Sequence, residues 1–403
     1  MANPLLSAVR SQGSRSIYDK EVQSLLFQVI FLVIVLGTGH YLFSNMQANL
    51  ERQNIQTGFD YLSREAGFAI GESWISYSPA SSYARAVFVG FINTAVVAII
   101  GIALATLIGI SIGVASLSNN WLVRQLTGVY INFLRNIPVL LQIILWYTLV
   151  TSPRLLPIPR EFRGEDGLEP FLGLIYFTRQ GVFMPSFEAH IGWLGAGVGL
   201  ILGIVGAIFA GKWARQYMEE TGRQLPAFWI GAGVIALATF IGWFVMGAPT
   251  AISYPTMGRF RLTGGATITP EFIAVLFGLT IYTSAFIADI VRSGILSVPK
   301  GQIEAGRSLG LREGVIMNKI VLPQALRVII PPLTSQYLNL TKNSSLAVAV
   351  GYPDLVNVSN TTLNQTGQAP EAILIMMIVY LSTNLATSLF MNWYNKQIQL
   401  VER

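Results

Sequence analysis

Five stretches of this chain, 24–44, 87–116, 191–211, 226–248 and 372–392, contain no Asp, Glu, Lys or Arg, and each runs for 21 residues or more. About 20 apolar residues wound into a helix are enough to cross the hydrocarbon core of a bilayer. A water-soluble domain has no need of such runs and interrupts its apolar sequence with charge much sooner. Only 11% of the residues are charged, against about 25% in an average soluble domain. In lipid every backbone polar group must be satisfied within the protein, so spans of this kind are helices.

Three further stretches are mostly apolar but carry charge: 128–150 with Arg135, 270–292 with Glu271, Asp289 and Arg292, and 325–350 with Arg327 and Lys342. The pattern predicts an all-α polytopic membrane protein of about eight transmembrane helices. An even number places both termini on one side. With the N-terminus inside, the short inner segments hold 13 Lys and Arg and the outer ones nine, so the positive-inside rule puts both termini in the cytoplasm. The first run is followed by Ser44-Asn45-Met46-Gln47 rather than a small-residue cleavage pattern, and is expected to remain as an anchor.

The chain has no cysteine, which excludes disulfide and thiolate chemistry. His40 and His190 are too far apart in sequence for a metal motif, so no metal site is expected. The basic residues are scattered through short loops rather than gathered into a stripe, which points to membrane topology and away from nucleic acid.

Segment 293–324 is the most informative. Residues 301–309 suit a short helix, Gly310 supplies the freedom for a sharp turn, and a second helix is expected to run until Pro323 interrupts it. Ala305 and Gly306 are small enough to let another protein's surface approach, and Glu304 offers a charge to set the register. The spacing of Glu304, Ala305, Gly306, Gly310, Ile320, Leu322 and Pro323 resembles the E-A-A-x3-G-x9-I-x-L-P loop of ABC importer permeases. Gly306 stands where that family usually has Ala. Glycine in a helix costs about 0.5–1 kcal/mol relative to alanine, so this helix is expected to lean on a docked partner for its order.

Three other segments narrow the resemblance. Tyr130-Ile-Asn-Phe-Leu-Arg135-Asn136-Ile137-Pro138-Val-Leu-Leu-Gln142 is similar to the F-R-G-T-P-L-L-V-Q segment of polar amino-acid permeases, with Asn136 and Ile137 departing from it. Residues 284–295 resemble that family's A-A-Y-x-A-E-x-x-R-G-G-I, with Asp289 in place of Glu, and Lys342-Asn343-Ser344-Ser345-Leu346 resembles K-N-T-S-L. The long loops and the extra spans are most similar to permeases of general L-amino-acid importers and of their glutamate, glutamine and aspartate relatives.

The resemblance implies a type I importer core of five helices, with an added N-terminal helix and a two-helix insertion. The expected organisation is a cytoplasmic N-terminus (1–23), a first helix (24–44), a periplasmic loop (45–86), the first part of the core (87–152), the insertion (153–255), and the second part of the core (256–403) with its coupling loop at 293–324. It further implies a bacterial inner-membrane location, a partner ABC ATPase dimer that holds ATP and Mg, a second homologous permease in a heterodimer, a periplasmic amino-acid-binding protein, and L-amino acids as cargo. No cofactor and no hydrolytic activity are expected on this chain. Gly206-Ala-Ile-Phe-Ala-Gly211-Lys212 has the first seven positions of a P-loop, but Trp213 follows where Ser or Thr should bind Mg, and no strand precedes it.

A cation at the bilayer centre costs roughly 2.5–3.5 kcal/mol on insertion scales, so Arg135 and Lys342 should face protein or water. Candidate path residues are Arg135, Pro138, Gln142, Asn339, Lys342, Asn343, Ser344 and Ser345; packing or snorkelling is the structural alternative. Asp289 and Arg292, spaced i,i+3, are expected to form a structural ion pair. Pro331-Pro332 is expected to break its span, and Gly195, Gly199 and Gly203, four apart, to pack closely on another helix. A secondary transporter driven by an ion gradient, with Lys342 and Asp289 as its relay, is the rival reading; it would predict internal repeats, which are not evident. A membrane-embedded enzyme would need converging nucleophile, base or paired carboxylates, and none stands at recognisable spacing.

Overall fold

The computed structural model describes residues 20–53, 55, 57–162, 169–188, 190–223, 225–258 and 262–398. Residues 1–19 of the N-terminal segment, and Arg10, Arg15, Arg163, Arg259, Arg261 and Arg403 of the charge count, lie outside the described residues.

Among the described residues, seven helical stretches are long and apolar enough to cross a membrane. Their helices are α1 (Lys20–Arg52), α2 (Tyr83–Ala115), α5 (Gly192–Thr221), α6 (Ala227–Val245), α7 (Pro270–Leu296), α10 (Leu322–Asn343, reached through a short helix and a wide turn) and α12 (Ala369–Ile398). Side chains 23–45 of α1 are exposed on every face, an arrangement that is stable only where the surroundings are apolar.

The expected span at 128–150 is not one helix. It divides into α3 (Trp121–Arg135) and α4 (Val139–Thr151), which meet at 103°. The break is physical: Pro138 has no N–H to donate and pushes Ile137 out of the helical region, so the chain turns at Asn136-Ile137 and restarts after the proline. Asn120 caps the start of α3, accepting from Leu122 N at 2.9 Å. Counting the bent pair as one span gives eight.

Pro331-Pro332 has the opposite outcome to the expected break. Both prolines lie inside a continuous α10. Their rings are exposed on the helix surface, where the fixed φ of proline is still helical and only backbone bonds to earlier carbonyls are lost.

The core lies between α2, α4, α7 and α10, around Val97, Ile143, Leu279, Ile287, Ile329 and Leu340. Helices α2 and α7 touch almost backbone to backbone: a Cβ at Gly109 would stand 2.6 Å from Ile287 Cβ. The segment ahead of α2 folds down onto it, burying Tyr61 and Ala66 beside Tyr83, Ala86 and Val358, the last on α11 (Leu355–Thr366).

Helices α5 and α6 pack on each other. The ideal Cβ positions of Gly195 and Gly199 fall on the carbonyls of Gly242 and Ala238, and that of Gly203 lies 2.8 Å from Ile235 Cα. The predicted glycine seam is therefore present, with α6 as its partner. Among the described residues, three small antiparallel sheets add to the helical fold. In the largest, β1 (Tyr176–Thr178) pairs with β2 (Gly181–Met184), which pairs with β3 (Ala266–Ile268). That pairing carries the unit around α5 and α6 past residue 255, to the foot of α7.

Candidate functional site

At the C-terminal end of α7 the chain makes a compact double turn. Helix α8 (Lys300–Ser308) is followed by Gly310 at φ +71° and then by α9 (Glu313–Ile316). Leu311 N donates to Gly306 O at 3.2 Å and Gly310 N to Arg307 O at 2.9 Å. This bond pair is the Schellman stop, and it needs a left-handed residue where Gly310 stands. Arg307 grips Glu313 across the turn, with Nε donating to Oε1 at 2.7 Å and Nη2 to Oε2 at 3.3 Å. Both side chains are largely exposed, so the pair sets the angle of the turn more than it adds stability.

The second helix does not stop at Pro323. Residues Met317–Val321 form a π-helical turn, and Pro323 sits in the first turn of α10. One extra residue in the turn places the proline, which has no N–H, where no donor is required, and the helix continues. Gln324 Nε2 donates to Ile320 O at 2.8 Å and satisfies one carbonyl beside the widened turn.

Gly306 also serves a purpose other than the expected one. It is buried, and a Cβ there would meet Ile320 Cδ1 at 3.0 Å and Ile316 Cγ1 at 3.1 Å. Its small size lets α8 lie against the next turn of its own chain, and does not open a surface to a partner. Glu304, Ala305, Gly310 and Leu322 are exposed, while Ile320 and Pro323 are half-buried. Leu309, which the sequence reading passed over, is 79% exposed at the tip of the turn. Its place directly before the turn glycine is the one signal in the sequence that marks it. Val298, Ile316 and Val321 belong to the same apolar cluster as Ile287 and Ile329, so the double turn is fixed rigidly to the ends of α7 and α10.

One ion pair joins α3 to α7. Arg135, at the end of α3, donates from Nη1 to Asp289 Oδ2 on α7 at 2.5 Å. Its guanidinium also lies 5.1 Å from the centre of the Phe286 ring. Asp289 therefore pairs with Arg135 and not, as expected, with Arg292, which is exposed and enters neither of the ion pairs among the described residues. The physical reason is the break at Pro138, which brings the end of α3 beside α7. Tyr130 and Ser284 share a second α3–α7 hydrogen bond of 2.7 Å.

Gln142 is buried, and its amide donates to Leu134 O at 3.0 Å and Ile137 O at 3.2 Å, bracing the bend at Pro138. Asn339 and Lys342 are exposed along α10, Asn343 and Ser345 are half-buried, and Ser344 is buried. Ser344 and Ser345 donate to the carbonyls of Thr341 and Lys342, both at 2.7 Å, as the helix tightens into a 3-10 stretch at Ser344–Val350. The P-loop-like run from Gly206 to Trp213 is unbroken helix inside α5.

Residues 195–400 match the family described as "Binding-protein-dependent transport system inner membrane component". The chain is 45% identical to the "General L-amino acid transport system permease protein AapQ" of Rhizobium johnstonii, covering 96% of this chain and 95% of that protein. It is 42% identical to the "Putative amino-acid ABC transporter permease protein YhdX" of Escherichia coli, covering 97% and 98%. With the "Glutamate/glutamine/aspartate/asparagine transport system permease protein BztB" of Rhodobacter capsulatus it shares 39%, covering 97% of each.

Proposed function

The chain belongs to the family of binding-protein-dependent transport system inner membrane components, and on that footing we propose that it is the permease subunit of an ATP-driven importer of polar L-amino acids. Both halves of the chain take part. The bundle of α2, α4, α7 and α10 forms one wall of the pathway, and the double turn at 300–323 receives the stroke of a separate ATPase dimer holding ATP and Mg.

The observation that carries this reading is the attachment of that turn. Its exposed edge offers Glu304, Ala305 and Leu309, while its buried edge is continuous with the apolar cluster of α7 and α10. A push on the exposed edge therefore moves two membrane helices as a body. ATP can favour one state only if the turn makes different contacts in the inward and outward arrangements. In this reading both termini are cytoplasmic, a homologous second permease completes the pathway, and a periplasmic binding protein delivers the amino acid. Lys342, with Asn339 and Asn343 beside it, lines the path.

Reconstitution tests it. The chain, co-expressed with the proposed second permease and ATPase and placed in liposomes with the binding protein, should take up labelled L-amino acids only with ATP. Uptake that survives without ATP and collapses with an ion gradient would overturn the proposal.

A further inference from the structure

At the end of α7 remote from the coupling turn, about 40 Å away along a 27-residue helix, lies a cavity of about 580 Å³. Charged and phenolic groups reach it from four separate parts of the chain, and Asn357 and Thr361 of α11 add an amide and a hydroxyl. Glu72 comes from the segment ahead of α2, Glu271 from the first turn of α7, Tyr147 from α4, and Arg179 from the β1–β2 turn.

Both carboxylates are held in place. Thr269, the capping residue of α7, donates its hydroxyl to Glu72 Oε2 and accepts from Phe272 N at 3.1 Å. The Glu72 backbone is tied to α2 through Asn93 Nδ2 at 2.9 Å. Tyr147 donates its hydroxyl to Glu271 Oε1 at 3.2 Å. Glu72 is only 8% exposed. Burial pushes its carboxyl up to about 7, and the charge of Glu271 adds to the rise.

The cavity is thus lined by two carboxylates and a guanidinium, and neither of the two ion pairs among the described residues involves any of the three. A carboxylate kept from water is costly until a cation meets it. Two oriented carboxylates and one guanidinium around a single space suit an occupant that carries an ammonium and a carboxylate together. A lone metal ion would leave the guanidinium unused, and a lone anion would face both carboxylates.

We propose that this cavity is a second recognition site, on this chain alone, for a free zwitterionic amino acid, whose ammonium lies between Glu72 and Glu271 and whose carboxylate meets Arg179. The proposal rests on the amino-acid reading above and adds a place where the solute pauses outside the pathway shared with a second permease.

The test is equilibrium binding of labelled L-serine to the assembled membrane complex in nanodiscs, without the binding protein. Ethanolamine and 3-hydroxypropionate, each carrying one of serine's two charges, serve as competitors. Saturable serine binding is expected, weakened at least tenfold by either E271Q or R179Q, with neither competitor displacing it at serine's concentration. R179Q alters a half-exposed turn residue, and an unchanged melting temperature would show that it folds. Absence of saturable binding, unchanged affinity in folded R179Q, or displacement by ethanolamine alone as the mark of a plain cation site would each overturn the proposal. ATP-driven serine uptake by the same complex with its binding protein separates the two readings. Uptake without a cavity site defeats this inference alone, whereas absence of amino-acid uptake defeats the function it rests on.

Discussion

Arg135 Nη1 donates to Asp289 Oδ2 at 2.5 Å, across 154 positions of sequence. The contact fastens the end of the short helix before the bend to the side of α7, the helix that leads into the double turn at 300–323. The side chains are 36% and 33% exposed, and removing either partner leaves the other charge unpaired. R135A and D289A should each lower the melting temperature in detergent, and R135A/D289A should cost less than their sum. Strict additivity would show that the pair carries no coupling. R135K keeps the charge but loses the planar stack on Phe286, and should fall between the wild type and R135A.

Glu304 and Leu309 are exposed and make no contact that the fold needs. E304K and L309D should therefore leave insertion and melting temperature unchanged while abolishing ATP-driven uptake and co-purification of the ATPase. Normal uptake by either variant would remove that residue from the coupling surface.

Gly306 allows a graded test. An added methyl at this position meets the ends of the Ile316 and Ile320 side chains at 3.0–3.3 Å, which can give by a few tenths of an ångström, and it brings the helix preference of alanine, about 0.5–1 kcal/mol. G306A should thus stay within about 1 kcal/mol of the wild type and transport normally. G306L should lift α8 off the π turn and lose both stability and uptake. Equal loss in the two variants would contradict the packing described here.

The spans were legible because lack of charge over 21 residues is a local property, readable without knowing any neighbour. The glycine seam on α5 was legible for the same reason, since spacing by four marks one face of a helix. The bend at Pro138 was written in the sequence too, but the hydrophobicity on both sides of Asn136-Ile137-Pro138 averages over it. Partners were harder. Asp289 has Arg292 one turn away, and nothing local says that it turns to Arg135, because that depends on where the bend directs α3. The convergence of Glu72, Glu271, Tyr147 and Arg179 was invisible for the same reason: each comes from a different part of the chain, and only the packed helices and small strands bring them together. Gly306 looked like a surface feature because its neighbours in sequence are exposed, whereas the turn at Gly310 folds that one position inward.

Glu72 makes stability depend on pH. Its carboxyl, ordinarily near 4.5, is pushed up to about 7 by burial. The folded protein therefore holds this proton where the unfolded chain has released it. The stabilisation is complete below about 4.5 and is lost as pH rises through about 7. At 1.36 kcal/mol per pH unit, the amount at stake is on the order of 3 kcal/mol at most. Asp354, also pushed up to about 7 by burial, contributes in the same window, so the informative quantity is a difference. Between pH 5 and pH 8 the wild type should lose melting temperature faster than E72Q. Parallel curves would show that Glu72 does not titrate in that range.

The packing of α5 on α6 can be read by chemistry, because the chain contains no cysteine and any thiol introduced is the sole reactive one. A Cβ at Gly231 would stand 3.5 Å from the Cβ of Ala207, at the short end of the 3.5–4.5 Å that disulfides span. A207C/G231C should therefore close a disulfide under mild oxidant in the membrane, resolved as a shift on a non-reducing gel after cleavage in the loop between the helices. A207C paired with G233C serves as the control, since Gly233 has no neighbour within 4 Å of its Cβ position, and it should stay reduced. Placing G199L in the cross-linking pair should then abolish closure, because a leucine there would drive its side chain into the backbone of α6 at Ala238. Closure at equal rates in all three proteins would mean that the helices slide or separate, and the seam would not be the contact that holds them.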